Sequence, residues 1–460
     1  MPNIAQTVVV DDATAGTLLA ARSDIVVERP WTDEDEDLWR RREPDDEPHH
    51  DWTTYALETG PMLAYRRDVR SVPDDSGAVR VDERIRYQLA LGFWSGVVVW
   101  PTNRALRRIE ARQATHSPVW APPESLDARS GTVLGLLLTL ALLAGYMGTV
   151  LTQTVTYAAD EFSRGATAQG NVLAAVRVGV LGSLAIVALS DRKGRRRLLL
   201  WSVSLAVVTT VAGAFAPTIE ILGATQTLAR GFQTAVTLLL AVVAAEEMPA
   251  GARAYAISVM TMTGALGAGI AVWALPLADV GERGWRIIYL IPVLGLPVLK
   301  RVARTLPESQ RFVRPHREAT VIRGHARRFW AIGAALFCSS AFGAPSSQLL
   351  NDFLKDERGF SAARIALFTV LTSTPAGLAL VAGGRLADTR GRRVVVAVGV
   401  AGGAIVAAYG LPPGAGPCGP PTWSPPCSAP SPCRPWGPTG PSCSPPRPGP
   451  RPTASSRSCR

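Results

Sequence analysis

Residues 190–200 read SDRKGRRRLLL, with one acid and five bases in the first eight positions and an apolar run on either side. Residues 387–396 read ADTRGRRVVV, again between apolar runs. Asp191, Gly194, Arg195 and Arg196 match Asp388, Gly391, Arg392 and Arg393 at an offset of 197. In each copy a glycine supplies a tight turn, and the flanking bases suit an anionic lipid surface. A basic knot repeated between long apolar stretches is the mark of a duplicated helix bundle in a membrane.

Outward from the knots, apolar runs extend in both directions. A bilayer core about 30 Å thick needs roughly 20 apolar residues per spanning helix. Nine stretches qualify: 131–157, 166–190, 198–216, 219–245, 254–277, 286–303, 329–350, 363–386 and 394–411. The sixth is the weakest, because Pro292 and Pro297 interrupt it. Placing the N-terminus in the cytoplasm puts loops 191–197, 246–253, 300–328 and 385–393 inside, with 19 Lys and Arg among them. The opposite loops, near 158–165, 217–218, 278–286 and 351–364, hold 6. This asymmetry, rather than nucleic acid binding, accounts for much of the net charge of +11.

Four further motifs fall in order. EEMPAGAR carries Glu246, Pro249 and Arg253 after the fourth run; GWRIIY, with Gly284, Trp285 and Arg286, opens the sixth; LPESQRF, with Pro307, Glu308 and Arg311, follows it; and Gly384 precedes the second knot by four residues. Together with the knots these resemble the loop signatures of the major facilitator superfamily. The family pattern is G-x3-D-[RK]-x-G-R-[RK], E-x-x-P-x-x-x-R, G-W-R and L-P-E-S-P-R. The chain departs from it at Val187, Thr389 and Gln310. The resemblance covers about 131–411. It implies an all-α membrane protein of two six-helix pseudo-repeats, the second incomplete. Residues 131–306 form the first bundle, 307–328 a basic linker and 329–411 part of the second. It further implies a secondary transporter in the cell membrane, not an enzyme, moving a small polar solute by alternating access. P-E-S leans towards sugar or organic-acid uptake, with drug efflux the alternative within the family. The resemblance makes Asp191, Arg192, Gly194, Arg195 and Arg196, with Gly384, Asp388, Gly391, Arg392 and Arg393, gating candidates. An Asp at a helix end that pairs with the other bundle in one state only would bias a rocking equilibrium.

Arg177 and Arg230 lie near the middle of the second and fourth runs. A mid-membrane charge costs roughly 2.5–3.5 kcal/mol on insertion scales, so both are candidates for substrate binding or coupling. GYMGTVLTQ resembles the G-Y-D-x-G opening of sugar and metabolite symporters, with Met147 in place of the acid. That departure leaves proton coupling open. Asp160 and Glu161, near the outer end of the first run, read as a solvated helix end, with a role in coupling the alternative. Tyr146, Gln153, Thr154, Gln348 and Asn351 are polar groups that serve equally as solute contacts or as glue between helices. No Walker-type Gly-Lys-Ser/Thr occurs, which argues against an ATP-driven pump, and nothing calls for a cofactor or metal. A monomer is expected.

The two ends differ from this pattern. Residues 1–127 are polar and begin with no basic-then-apolar leader. TVVVDD, SDIVVERP and AVRVDERIRYQLAL read as strands. WTDEDEDLW reads as a solvated acidic face, and HHD at 49–51 is too slight for a metal site. LGFWSGVVVWPTNRALRR is too short to span and suits the membrane interface. The strand and helix closing this region faintly resemble the end of a helix-grip, START-like domain; a cytoplasmic extension without a fold of its own is the alternative. A membrane-anchored sensor working through residues 1–127 is the rival to transport. From Gly410 to Arg460 the chain holds seventeen prolines and no Ile, Val, Phe, Asp, Glu or Lys. Its residue types suit GC-rich codons, and 412–460 is read as a disordered, out-of-frame tail in place of three helices.

Overall fold

The first long apolar run begins as a helix should. Asp127, in extended conformation, accepts from the Ser130 amide at 2.9 Å and caps a helix over Ala128–Glu161. In the computed structural model, which describes residues 1–43, 51–74, 78–108, 120–308, 326–334, 336–338 and 360–410, this helix is the axis of the membrane part. Contacts divide the chain into Met1–Ala397 and Val398–Arg460. All the packing below belongs to the first unit.

The helices are α1 (Asp12–Leu19), α2 (Asp33–Arg40), α3 (Ser95–Arg107), α4 (Ala128–Glu161), α5 (Ala166–Lys193), α6 (Arg195–Gly213), α7 (Ile219–Glu247), α8 (Arg253–Trp273), α9 (Trp285–Leu290), α10 (Leu296–Thr305), α11 (Ala362–Arg390) and α12 (Arg392–Gly410). Residues 326–334 and 336–338 are helical as well. Among the described residues five helical segments are long and apolar enough to cross a membrane: Ala128–Glu161, Thr167–Ser190, Arg195–Gly213, Ile219–Glu247 and Ala250–Val280. The sixth expected run is a chain of short pieces. Pro292 opens a 3-10 turn over Ile291–Gly295, and Pro297 sits in the first turn of α10. Proline lacks the amide that would carry one helix through, so the hydrogen-bond ladder is interrupted at both.

Small residues decide which helices meet. A Cβ on Gly145 would strike the Gly264 carbonyl, and one on Gly267 would strike that of Leu142, so α4 and α8 touch backbone to backbone. Gly179 and Gly231 bring α5 and α7 together in the same way. The apolar window of α4 is 61% buried and that of α5 only 22%, which puts α4 at the centre and α5 on the rim. α11 packs on α8, and a Cβ on Gly384 would overlap the Ser258 side chain.

Ahead of α4 lies an antiparallel sheet of β1 (Asn3–Val10), β2 (Val27–Pro30), β3 (Thr53–Thr59), β4 (Met62–Pro73) and β5 (Val79–Leu89), in the order β1-β5-β4-β3-β2. TVVVDD and AVRVDERIRYQLAL contribute β1 and β5, while only the last four residues of SDIVVERP are strand. Ile4, Tyr65, Ile85, Tyr87 and, from α3, Leu106 form one core, and α1 covers Val69 and Val81 with Ala15 and Leu18. Inside sits a set of ion pairs. Arg67 meets Glu28 at 2.9 Å and Glu83 at 2.5 Å, and Arg22 meets Asp24 at 2.7 Å while donating to the Leu106 carbonyl. These residues therefore have a fold of their own.

The acidic stretch is only partly the solvated face expected. Thr32 and Asp35 form a capping box at the start of α2, and Arg29 grips Asp35 at 2.6 and 2.7 Å. Trp39 is buried, and the Arg66 guanidinium lies 5.1 Å from the Trp31 ring and 5.8 Å from that of Trp39. α3 turns Thr102, Ala105 and Leu106 inward and leaves Trp100 68% exposed, and Phe93 in the 3-10 turn before it is 79% exposed. The neighbouring Trp94 donates to Thr139 on α4 at 3.1 Å.

Candidate functional site

Both knots adopt one backbone. Gly194 has φ 93° and ψ 138°, and Gly391 has φ 97° and ψ 134°. Side-chain-bearing residues avoid that region, so each glycine permits the turn. Around the first knot three loops converge. The Glu308 carboxylate accepts from the Arg195 and Arg196 amides, each at 3.0 Å, and so caps α6. Glu246 pairs with the Arg195 guanidinium, Arg196 donates to the Ala303 carbonyl, and Arg253 donates to that of Met248 at 3.2 Å. Pro249 leads the 3-10 turn between α7 and α8. Arg192 is exposed, and the Asp191 side chain lies outside the described ones.

The second knot reaches the start of α8. Asp388 accepts from the Tyr255 amide in the first turn of α8 at 2.8 Å and meets Arg392 at 3.3 Å, while Arg393 is exposed. Gly384, one turn earlier, lets α11 approach α8 closely enough for that bond.

The membrane-centre candidates also have a place. Arg177 on α5 and Arg230 on α7 line one cleft with Met147, Gly148 and Thr152 of α4 and Gln226 of α7. Arg230 Nη1 donates to the Gly148 carbonyl at 2.7 Å. Tyr146 and Thr154 turn instead into the helix contacts. Tyr146 donates to the Ile288 carbonyl at 2.7 Å, and Thr154 meets the Tyr289 hydroxyl at 3.0 Å. Gln153 is half-buried on α4. Arg311, Gln348 and Asn351 lie outside the described residues, as do His49, His50 and the tail from 411.

These loop clusters lie within the part of the chain matched by a family profile. The profile described as Major Facilitator Superfamily matches residues 136–424. The chain belongs to the major facilitator superfamily. A D-xylose transporter of Levilactobacillus brevis is 31% identical over 176 residues, which is 37% of this chain and 38% of that one. The aligned part of this superfamily member thus spans less than half the length of that relative. Among solved structures, the proton:xylose symporter XylE bound to 6-bromo-6-deoxy-D-glucose aligns over 40% of this chain and 46% of that one, at 19% identity and TM-score 0.36. The partially occluded inward-open xylose transporter XylE from E. coli covers 61% and 73%, at 16% identity and TM-score 0.37. A D-xylose-proton symporter covers 60% and 72%, at 17% identity and TM-score 0.41.

This superfamily chain also carries a clamp that its sequence did not announce. Glu161, expected as a solvated helix end, accepts from Trp285 Nε1 at 2.7 Å and from Arg286 at 3.1 and 3.0 Å. Arg286 also donates to the Ala214 carbonyl at 2.8 Å, so the G-W-R element ties α4, α6 and α9 together at the end away from the knots. Gln226, 3% exposed beside the arginine cleft, was likewise unmarked.

Proposed function

We propose that this chain is a secondary transporter, moving a small polar, sugar-like solute by alternating access with its N-terminus in the cytoplasm. The observation that carries the reading is the Asp388–Tyr255 bond. It joins α11 of the second repeat to the first turn of α8 in the first, and it rests on one carboxylate and one amide. A contact so local can be made in one state and broken in another, and each state is then favoured by what it alone contacts. The Arg195–Glu246–Glu308 cluster joins the loops around α6 and α7 to the start of the linker and holds them as a unit. Likeness to a D-xylose transporter supports a sugar-like solute. With Met147 where the family's symporters place an acid, the reading does not require a proton gradient.

The test is counterflow of a panel of labelled sugars and sugar acids in proteoliposomes holding the full chain. Asp388→Asn weakens the bond and is expected to change flux at least threefold, while a solute bound to the cleft keeps its affinity within twofold. No counterflow for any of the panel would remove the transport reading and favour a sensor built on the N-terminal sheet.

A further inference from the structure

We infer that the arginine cleft selects an anionic solute, a small hydroxylated carboxylate rather than a neutral sugar. This rests on the transport reading above. α5 and α7 enter the membrane part from the same end, and Arg177 and Arg230 each lie eleven residues along their helices from Ala166 and Ile219. At 1.5 Å per residue both stand about 16 Å in, near the middle of a 30 Å core. Two guanidinium groups at one depth on one cleft repel each other.

The cleft supplies no opposing charge. Its lining among the described residues holds both arginines and no carboxylate. Met147, where the family pattern places an acid, lines the same cleft and brings a thioether rather than a carboxylate. Arg230 is satisfied only in part, by the neutral Gly148 carbonyl, and its fork has further donors. Neither arginine forms an ion pair among the described residues. A solute carboxylate fits this arrangement, because a planar guanidinium binds carboxylate with two parallel bonds. Thr152 and Gln226 on the same walls suit hydroxyl groups. As it stands the cleft holds about 20 Å³, room for little more than a water, so a solute enters only as its walls part during the transport cycle.

Equilibrium dialysis of the purified full chain against labelled D-glucuronate and D-glucose tests this. Glucuronate is expected to bind at least tenfold more tightly. Arg230→Gln and Arg177→Gln should each weaken it at least tenfold and leave glucose within threefold. Met147→Asp restores an acid without removing an arginine and should weaken glucuronate at least tenfold in protein that elutes as the parent does. Glucose binding with equal or greater affinity, or glucuronate binding indifferent to all three substitutions, overturns the anion inference and leaves the transport reading standing. Binding of neither, joined to absence of counterflow, overturns both.

Discussion

Glu161 illustrates how much one side chain can carry at the end of a helix. Its carboxylate is 11% exposed and holds both Trp285 and Arg286. Glu161→Ala leaves two donors without their acceptor at a half-buried position, which costs about 1–3 kcal/mol. Thermal unfolding of the detergent-solubilised protein should fall accordingly, and Glu161→Gln should restore part of the loss, because its amide oxygen still accepts. Tyr87 offers a test outside the membrane part. Its hydroxyl donates to Asn103 at 2.5 Å, and burial pushes the phenol up to about 12. An unfolded tyrosine titrates near 10, so the folded state favours the protonated form. That stabilisation is whole below pH 10 and is lost as pH rises through about 12. Hydrogen exchange across β5 should accelerate over that window, and Tyr87→Phe should flatten the change. Neither role was legible beforehand. Glu161 sits beside Asp160 in a polar stretch that reads as solvent-facing, and its partners lie more than a hundred positions away. Arg177 and Arg230 stand out in the sequence as charges inside apolar runs, and the structure places both on one cleft.

At the scale of elements, the two knots are one device used twice, and their glycines do different work. Gly194 and Gly391 set the turn, whereas Gly384 lets two helices close. Gly384→Leu must drive α11 away from Ser258 on α8, and overpacking of this kind costs about 1–3 kcal/mol. Gly383→Leu is its control, since a Cβ there meets nothing within 4 Å. The expected outcome is a lowered melting temperature for the first and an unchanged one for the second, measured by thiol-independent static light scattering. The spanning helices were readable as apolar runs because lipid demands length and leaves few alternatives. The sixth was readable only as weak. Its prolines marked a fault, but whether they bend a helix or divide it depends on neighbours such as Leu143, which packs against Gly295. The acidic run before Trp39 misled for a related reason. Five acids in a row predict solvent on one face and say nothing of Arg66, which the sheet brings under both tryptophans.

For the whole molecule, the sheet and the helices are joined through few contacts. Trp94 meets Thr139, and Gly135 lies against the Leu91 backbone, where any side chain would collide. Gly135→Leu should therefore undock the sheet without unfolding it. Hydrogen exchange is expected to rise over residues 90–107 and stay unchanged in β4, and rising exchange throughout the sheet would show that docking also stabilises it. The internal ion pairs of that sheet bear on how the protein is made. β1 can pair with β5 once Leu89 exists, and Arg22 finds its acceptor once Leu106 exists. Among the described residues, the first helix long and apolar enough to cross a membrane starts later, at Ala128. Chains emerge from the ribosome at about 5–20 residues per second, so the sheet has seconds to close before that helix reaches the insertion machinery. A closed knot of strands and charges cannot be threaded through a bilayer. On the proposed reading, with this region in the cytoplasm, the sheet acts during synthesis as a stopper, holding its end on the side where it was born and setting the direction of the crossings that follow.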